Sequence, residues 1–177
     1  ESAVNGRATF KLFKSTDQLL NAVDEQRPDL VGFANYIWNY SLNNFAGSLL
    51  KRNHPDLPII MGGPNIRTDE TGIGDFLAEN KFVDLYCMFN GEVAVAQITE
   101  YLLNHQPNER TGDHLRATDF KGCHTLRNGV LIGNTEYDQD KNLDKIDSPY
   151  LTGHMDSFLD DGFIPIVETN RGCPYSC

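Results

Sequence analysis

Two thiols stand at the end of this chain, in "RGCPYSC", Arg171 to Cys177, where Cys173 and Cys177 are separated by three residues. Thiolates are soft donors that suit zinc and iron–sulfur clusters, and a pair in a loop flanked by Gly172 and Pro174 can be aimed at one metal. By spacing alone, C-x-x-x-C is equally compatible with free thiols or with neighbours one helical turn apart. The other two cysteines, Cys87 and Cys123, are distant in sequence, and four in all are too few and too unevenly spread for a secreted disulfide framework.

Other chemistry would have to come from loops. In an open parallel sheet, ligands bind beyond the carboxyl ends of the strands, where backbone N–H groups are unpaired and glycines let a bulky ligand approach. Three loops qualify: Ala34-Asn35-Tyr36, Gly62-Gly63-Pro64-Asn65 and Asn90-Gly91-Glu92. Asn35, Tyr36, Gly62, Gly63, Pro64, Asn65, Gly91 and Glu92 are therefore the candidate ligand-binding residues. Tight turns alone would also explain the glycines. Neither a G-x-G-x-x-G fingerprint nor a phosphate loop is present. His54, His105, His114, His124 and His154 are scattered without ligand spacing, Ser41 and Ser148 lie in no nucleophile elbow, and Trp38 is expected to pack.

The elements that must position these loops alternate between strand and helix four times from residue 8 to about 104, the pattern of a parallel sheet covered by helices. "ATFKLFK" (Ala8 to Lys14) has the period of a strand, and Ser15 to Gln18 resembles a capping box for a helix that buries Leu19, Leu20 and Val23. "DLVGFANYI" (Asp29 to Ile37) reads as a strand covered on both faces. Leu42, Phe45, Ala46, Leu49 and Leu50 form one helical face. Strands follow at "PIIMGGPN" and "FVDLYCMFNGE". A short helix is expected around Ile73, Phe76 and Leu77, and a longer one around Val95, Ile98 and Leu102. Beyond a polar, turn-rich stretch at 105–114, Asn128-Gly129 marks a hairpin in "CHTLRNGVLIG". "YDQDKNLDKIDSPYLTG" reads as an extended acidic linker, and "FIPIVET" (Phe163 to Thr169) as a last strand.

Composition narrows the partners. The 177 residues suffice for about one domain, and 40% hydrophobic with 23% charged residues is ordinary for a globular protein. A formal charge of -10 with no basic cluster argues against nucleic acid. No run approaches the ~18 apolar residues of a membrane span and no secretory leader is evident, so the cytoplasm is the expected setting.

In this context, "PIVETNRGCPYSC" resembles the entrance to a radical S-adenosylmethionine (radical SAM) domain, and "DLVGFANYIWN", "PIIMGGPN" and "VDLYCMFNGE" are similar to the cobalamin-binding-like domain that precedes the barrel in one branch of those enzymes. The resemblance implies a four-iron four-sulfur cluster on three cysteines spaced C-x-x-x-C-x-x-C, with Cys173 and Cys177 as the first two metal ligands and the third expected three positions beyond. It implies reductive cleavage of S-adenosylmethionine to a 5′-deoxyadenosyl radical, a reductant protein, and a small-molecule or lipid substrate of unspecified identity. Gly62 and Gly63 would line a cobalamin-tail cleft if cobalamin binds. The cobalt-ligating D-x-H-x-x-G is absent, and Ala34-Asn35-Tyr36 stands where other members carry S-x-L.

The expected fold is a doubly wound, flavodoxin-like α/β sheet, cobalamin-binding-like over 1–110, then a hairpin and linker over 111–162 and the first strand of a truncated barrel over 163–177. The seven residues before Ala8 leave no room for the strand and helix that usually come first, so a cut at the amino end is expected too. Alone, such a piece is expected to turn over nothing. The alternative is a non-catalytic α/β module that binds another ligand or a partner and whose cysteines are idle.

Overall fold

The computed structural model describes residues 6–89, 91–133 and 146–167. They fall into two compact units, with described residues up to 133 in the first and 146–167 in the second.

The first unit is an α/β sheet with helices on both faces. Ser15 opens α1 (Thr16–Glu25), its hydroxyl accepting from the Gln18 N–H at 3.5 Å. Then follow β1 (Val31–Ala34), α2 (Tyr40–Asn53), β2 (Ile59–Gly62), α3 (Glu70–Glu79), β3 (Leu85–Cys87) and α4 (Gly91–Asn104). β1, β2 and β3 pair in parallel, Val31 opposite Ile59 and Ile60 opposite Leu85. Period-two alternation sends Val31, Phe33, Ile59, Met61 and Tyr86 to the face covered by α1, α2 and α3, and Ile60, Leu85 and Cys87 to the face covered by α4 and α5 (Gly112–Ala117). A 3₁₀ turn at Pro107–Glu109 lies in the stretch expected to be polar and turn-rich, and α5 begins within it and runs three residues past its end.

The hairpin joins this sheet. β4 (Cys123–Arg127) pairs antiparallel with β3, and β5 (Val130–Gly133) with β4, giving a mixed sheet in the order β1-β2-β3-β4-β5. Asn128 and Gly129 both adopt positive φ, 52° and 77°, as a two-residue turn requires.

Several expectations are corrected. Ala8 to Lys14 is not a strand: Phe10 and Leu12 are exposed, so the alternation has no face to bury. β1 is covered on one face only, with Gly32 and Ala34 exposed. On α2 the buried residues are Asn43, Ala46, Gly47 and Leu50, while Leu42 and Phe45 face outward. The register is set by Gly47, where any side chain would strike the Phe82 ring. Residues 137–145 of the expected linker lie outside the described residues; its end at 149–153 is turned rather than extended, and the turn continues to the short α6 (Asp156–Asp160). Phe163 to Val167 forms no strand, and the Tyr150 hydroxyl bridges the Ile166 N–H and C=O, each at 3.0 Å.

At the amino ends of the strands, Asp84 is a buried carboxylate held by three elements. It accepts from Lys51 Nζ of α2 at 2.7 Å, from the Ile59 N–H of β2 at 2.7 Å, and from Arg116 of α5. Burial raises its proton affinity above the usual 3.8, against Lys51, the Ile59 N–H and Arg116, which favour the charged form. This pin lies at the opposite end of the sheet from the candidate loops.

Candidate site at the carboxyl ends of the strands

The loops after β1 and β2 are knit into one unit. The Asn35 N–H donates to the Gly62 carbonyl at 2.6 Å, continuing the β1–β2 ladder by one residue. Its side chain is fully buried. Nδ2 donates to the Asn65 carbonyl at 2.9 Å and to the Tyr86 hydroxyl at 3.1 Å, and Oδ1 accepts from Asn65 Nδ2 at 3.3 Å. The Tyr86 hydroxyl donates onward to the Gly63 carbonyl at 2.7 Å. Burial, opposed by the Asn35 amide, pushes its pKa up to about 12, which keeps it a donor. The network is thus a neutral, satisfied floor.

Glycine is required at two points of this floor. Gly63 has φ +131°, and a Cβ there would lie 2.5 Å from the Asn35 carbonyl oxygen. A Cβ on Gly62 would lie 2.9 Å from the Cys87 carbonyl oxygen, across to β3. Pro64 is exposed and Asn65 half-buried. Residues 64–67 also form one side of an open cleft of about 430 Å³ whose other side is Gly72, Asp75, Phe76 and Glu79 of α3.

The turn after β1 is held by asparagines spaced four apart. Asn39 and Asn43 each donate from Nδ2 to the Ala34 carbonyl at 2.8 Å, and Asn39 Oδ1 accepts from the Tyr36 N–H at 2.8 Å. This arrangement turns Tyr36 and Trp38 outward. Their rings stack with centroids 4.6 Å apart and planes 11° from parallel, and Trp38 is 74% exposed. Trp38 therefore does not pack into the core as expected. With exposed Ile37, Leu42 and Phe45 it leaves apolar surface open at this end of the sheet.

The third loop stands apart. Asn90 lies outside the described residues, and Gly91 and Glu92 form the first turn of α4 rather than a loop. Phe89, exposed and at φ 57°, makes the sharp exit from β3. Parallel pairing places this turn at the same end of the sheet as the other two, while the hydrogen-bonded network joins only the Asn35 and Gly62-to-Asn65 loops.

Cys173 and Cys177 lie outside the described residues. Among the described residues no group of three His, Cys, Asp or Glu side chains could hold a metal ion, and no helix is long and apolar enough to cross a membrane. Sequence reasoning missed Asn39, Asn43 and Tyr86. The recurrence of Asn at 35, 39 and 43 was a readable signal, whereas nothing local marks Tyr86.

No family model matches the chain. Over 156 residues, 85% of this chain, it is 31% identical to 2-(S-pantetheinyl)-carbapenam-3-carboxylate methyltransferase of Streptantibioticus cattleyicolor. Over the same length it is 29% identical to the cobalamin-dependent radical SAM methyltransferase TokK of Streptomyces tokunonensis. By sequence, the chain is related over most of its length to these two methyltransferases, one of them cobalamin-dependent and radical SAM by name. It spans about a fifth of the length of the curated relatives it matches, 21% in each case. The cobalamin-binding-like fold is the sheet described above, and its knit loops stand at the carboxyl ends of β1 and β2.

Proposed function

We propose that this chain is the cofactor-binding part of a radical SAM methyltransferase, and that the carboxyl ends of β1, β2 and β3 receive cobalamin. The match to two methyltransferases, one of them cobalamin-dependent and radical SAM by name, is the observation that carries this reading.

The residues present fit such a group. Gly62 and Gly63 leave the backbone bare where a side chain would collide with Cys87 or Asn35, and Asn35, Asn65 and Tyr86 hold that backbone rigid. Tyr36 and Trp38 offer a flat apolar surface of the kind a macrocycle covers. None of the three loops contains a histidine, so they offer cobalt no imidazole. They would hold the cofactor by its periphery and one face. Pro64 and Asn65 would flank it, and Gly91 and Glu92 would stand at the β3 side. Bound cobalamin supplies a cobalt centre that can carry a methyl group.

In the parent protein, Cys173 and Cys177 would be two ligands of a four-iron four-sulfur cluster that, with S-adenosylmethionine and an electron from a reductant protein, supplies a 5′-deoxyadenosyl radical. A small molecule or a lipid is the substrate class, and the cytoplasm is the setting in which this oxygen-sensitive chemistry belongs. The 177 residues alone would turn over nothing.

The test is anaerobic reconstitution of the parent with iron, sulfide and reductant, followed by assay for 5′-deoxyadenosine and methionine. Cleavage that disappears in Cys173→Ala and Cys177→Ala supports the proposal. Cleavage retained in both variants refutes the assignment of these ligands.

A further inference from the structure

Cys87 closes β3 and Cys123 opens β4, and the two are directly opposite in the antiparallel register. Both thiols are buried, at 4% exposure each, and the Cys123 Sγ donates to the Cys87 Sγ at 3.8 Å. The next pair along the ladder is hydrogen-bonded, since the Met88 N–H donates to the Gly122 carbonyl at 2.7 Å. Cys87 and Cys123 therefore occupy a non-hydrogen-bonded position, where opposed Cα atoms come closest, about 4.5 Å apart. That separation lies inside the range a disulfide spans, about 4.4 to 6.8 Å, so closing the bond asks for side-chain rotation and a small approach of the strands.

We infer that Cys87 and Cys123 form a reversible cross-strand disulfide that fastens the hairpin β4–β5 to the parallel strands when the protein meets a peroxide or a disulfide oxidant. With hydrogen peroxide, one thiol is oxidised to a sulfenic acid and releases water; the other attacks that sulfur and a second water leaves, so two thiols and one peroxide give one disulfide and two waters. The neighbouring Cys123 thiol and burial both push the Cys87 thiol well above its usual 9.0, which makes the reaction slow in the closed fold and confines it to sustained oxidation. The bond would also stiffen the floor of the loop end, because the Cys87 carbonyl is the group that Gly62 must clear. This inference stands independently of the cobalamin reading.

The test oxidises the intact chain with hydrogen peroxide, and in parallel with oxidised glutathione in mild urea where buried strands open transiently. Free thiols are then blocked, the protein is digested with trypsin without reduction, and the peptides are weighed. The expected product joins the peptide Phe82 to Arg110, which holds Cys87, to Gly122 to Arg127, which holds Cys123, two hydrogens lighter than the two together. The oxidised chain should melt roughly 5–10 °C above the reduced chain and fall back on treatment with dithiothreitol. Cys123→Ala should show neither the linkage nor the rise. Recovery of both cysteines as free thiols under both conditions, their overoxidation, or their linkage only to Cys173 or Cys177 would overturn the inference.

Discussion

The Asn35 side-chain amide donates to the Tyr86 hydroxyl at 3.1 Å, and that hydroxyl donates to the Gly63 carbonyl at 2.7 Å. A residue at the end of one strand thus fixes the backbone of the next loop through a tyrosine of a third strand. Tyr86→Phe keeps the ring and deletes the relay, leaving the Gly63 carbonyl without this donor. We expect a loss of about 1–2 kcal/mol in urea unfolding. An unchanged midpoint would show that the relay contributes nothing.

Glycine substitutions separate conformational need from space. Gly63→Ala meets both a positive φ and the Asn35 carbonyl, so it should destabilise the chain and abolish retention of cobalamin. Gly74 of α3 has ordinary helical backbone and open space, nothing within 4 Å, where an alanine methyl would stand, so Gly74→Ala should stabilise by about 0.5–1 kcal/mol without touching the loops. Equal melting temperatures for the two variants would contradict the assignment of strain to Gly63.

His124 is buried on β4, where any side chain on Gly133 would overlap its ring. Burial lowers its pKa from the ordinary 6.5, with Glu70 opposing. The unfolded chain then takes up a proton at a pH where the folded chain does not. Stability contributed by neutral His124 is present above 6.5 and is lost as pH falls from 6.5 to the lower folded value, levelling off below it. Unfolding free energy measured against pH should fall over that window in the native chain and flatten in His124→Gln. Parallel profiles would sink this account.

Asp84→Asn removes the charge that Lys51 and Arg116 share and leaves both cations near a neutral group. We expect a loss of about 3 kcal/mol, seen by denaturant unfolding. Because Asp84 lies at the amino ends of the strands, variants that remain folded should keep their ligand affinity. A loss of affinity in folded protein would place Asp84 in the site.

Much of the architecture was legible because it follows from periodicity. The buried runs at Val31, Ile59 and Leu85, the cap at Ser15 and the turn at Asn128-Gly129 are local signals, and each marks its element. What was hidden depends on partners distant in sequence. The alternation of Phe10 and Leu12 needs a neighbouring strand to bury against and has none among the described residues. Leu42 and Phe45 fit a helical stripe as well as Asn43 and Gly47, and the choice was made by Phe82, far along the chain. At the site, the glycines of β2 were readable as a bare backbone. The tyrosine that supports them acts through a hydrogen bond between residues distant in sequence, which no local pattern encodes, whereas the outward turn of Trp38 rests on Asn39 and Asn43, whose spacing was readable.

Trp38 is the sole tryptophan of the chain and stands exposed against Tyr36 at the proposed cobalamin surface. Its emission therefore reports directly on that surface, and the corrin absorbs where tryptophan emits. Titration of the 177-residue chain with hydroxocobalamin, followed by gel filtration, should yield coloured protein whose tryptophan fluorescence is quenched in saturable fashion, with both effects lost in Gly63→Ala. Colourless protein with undiminished emission would contradict the assignment of this sheet end to cobalamin.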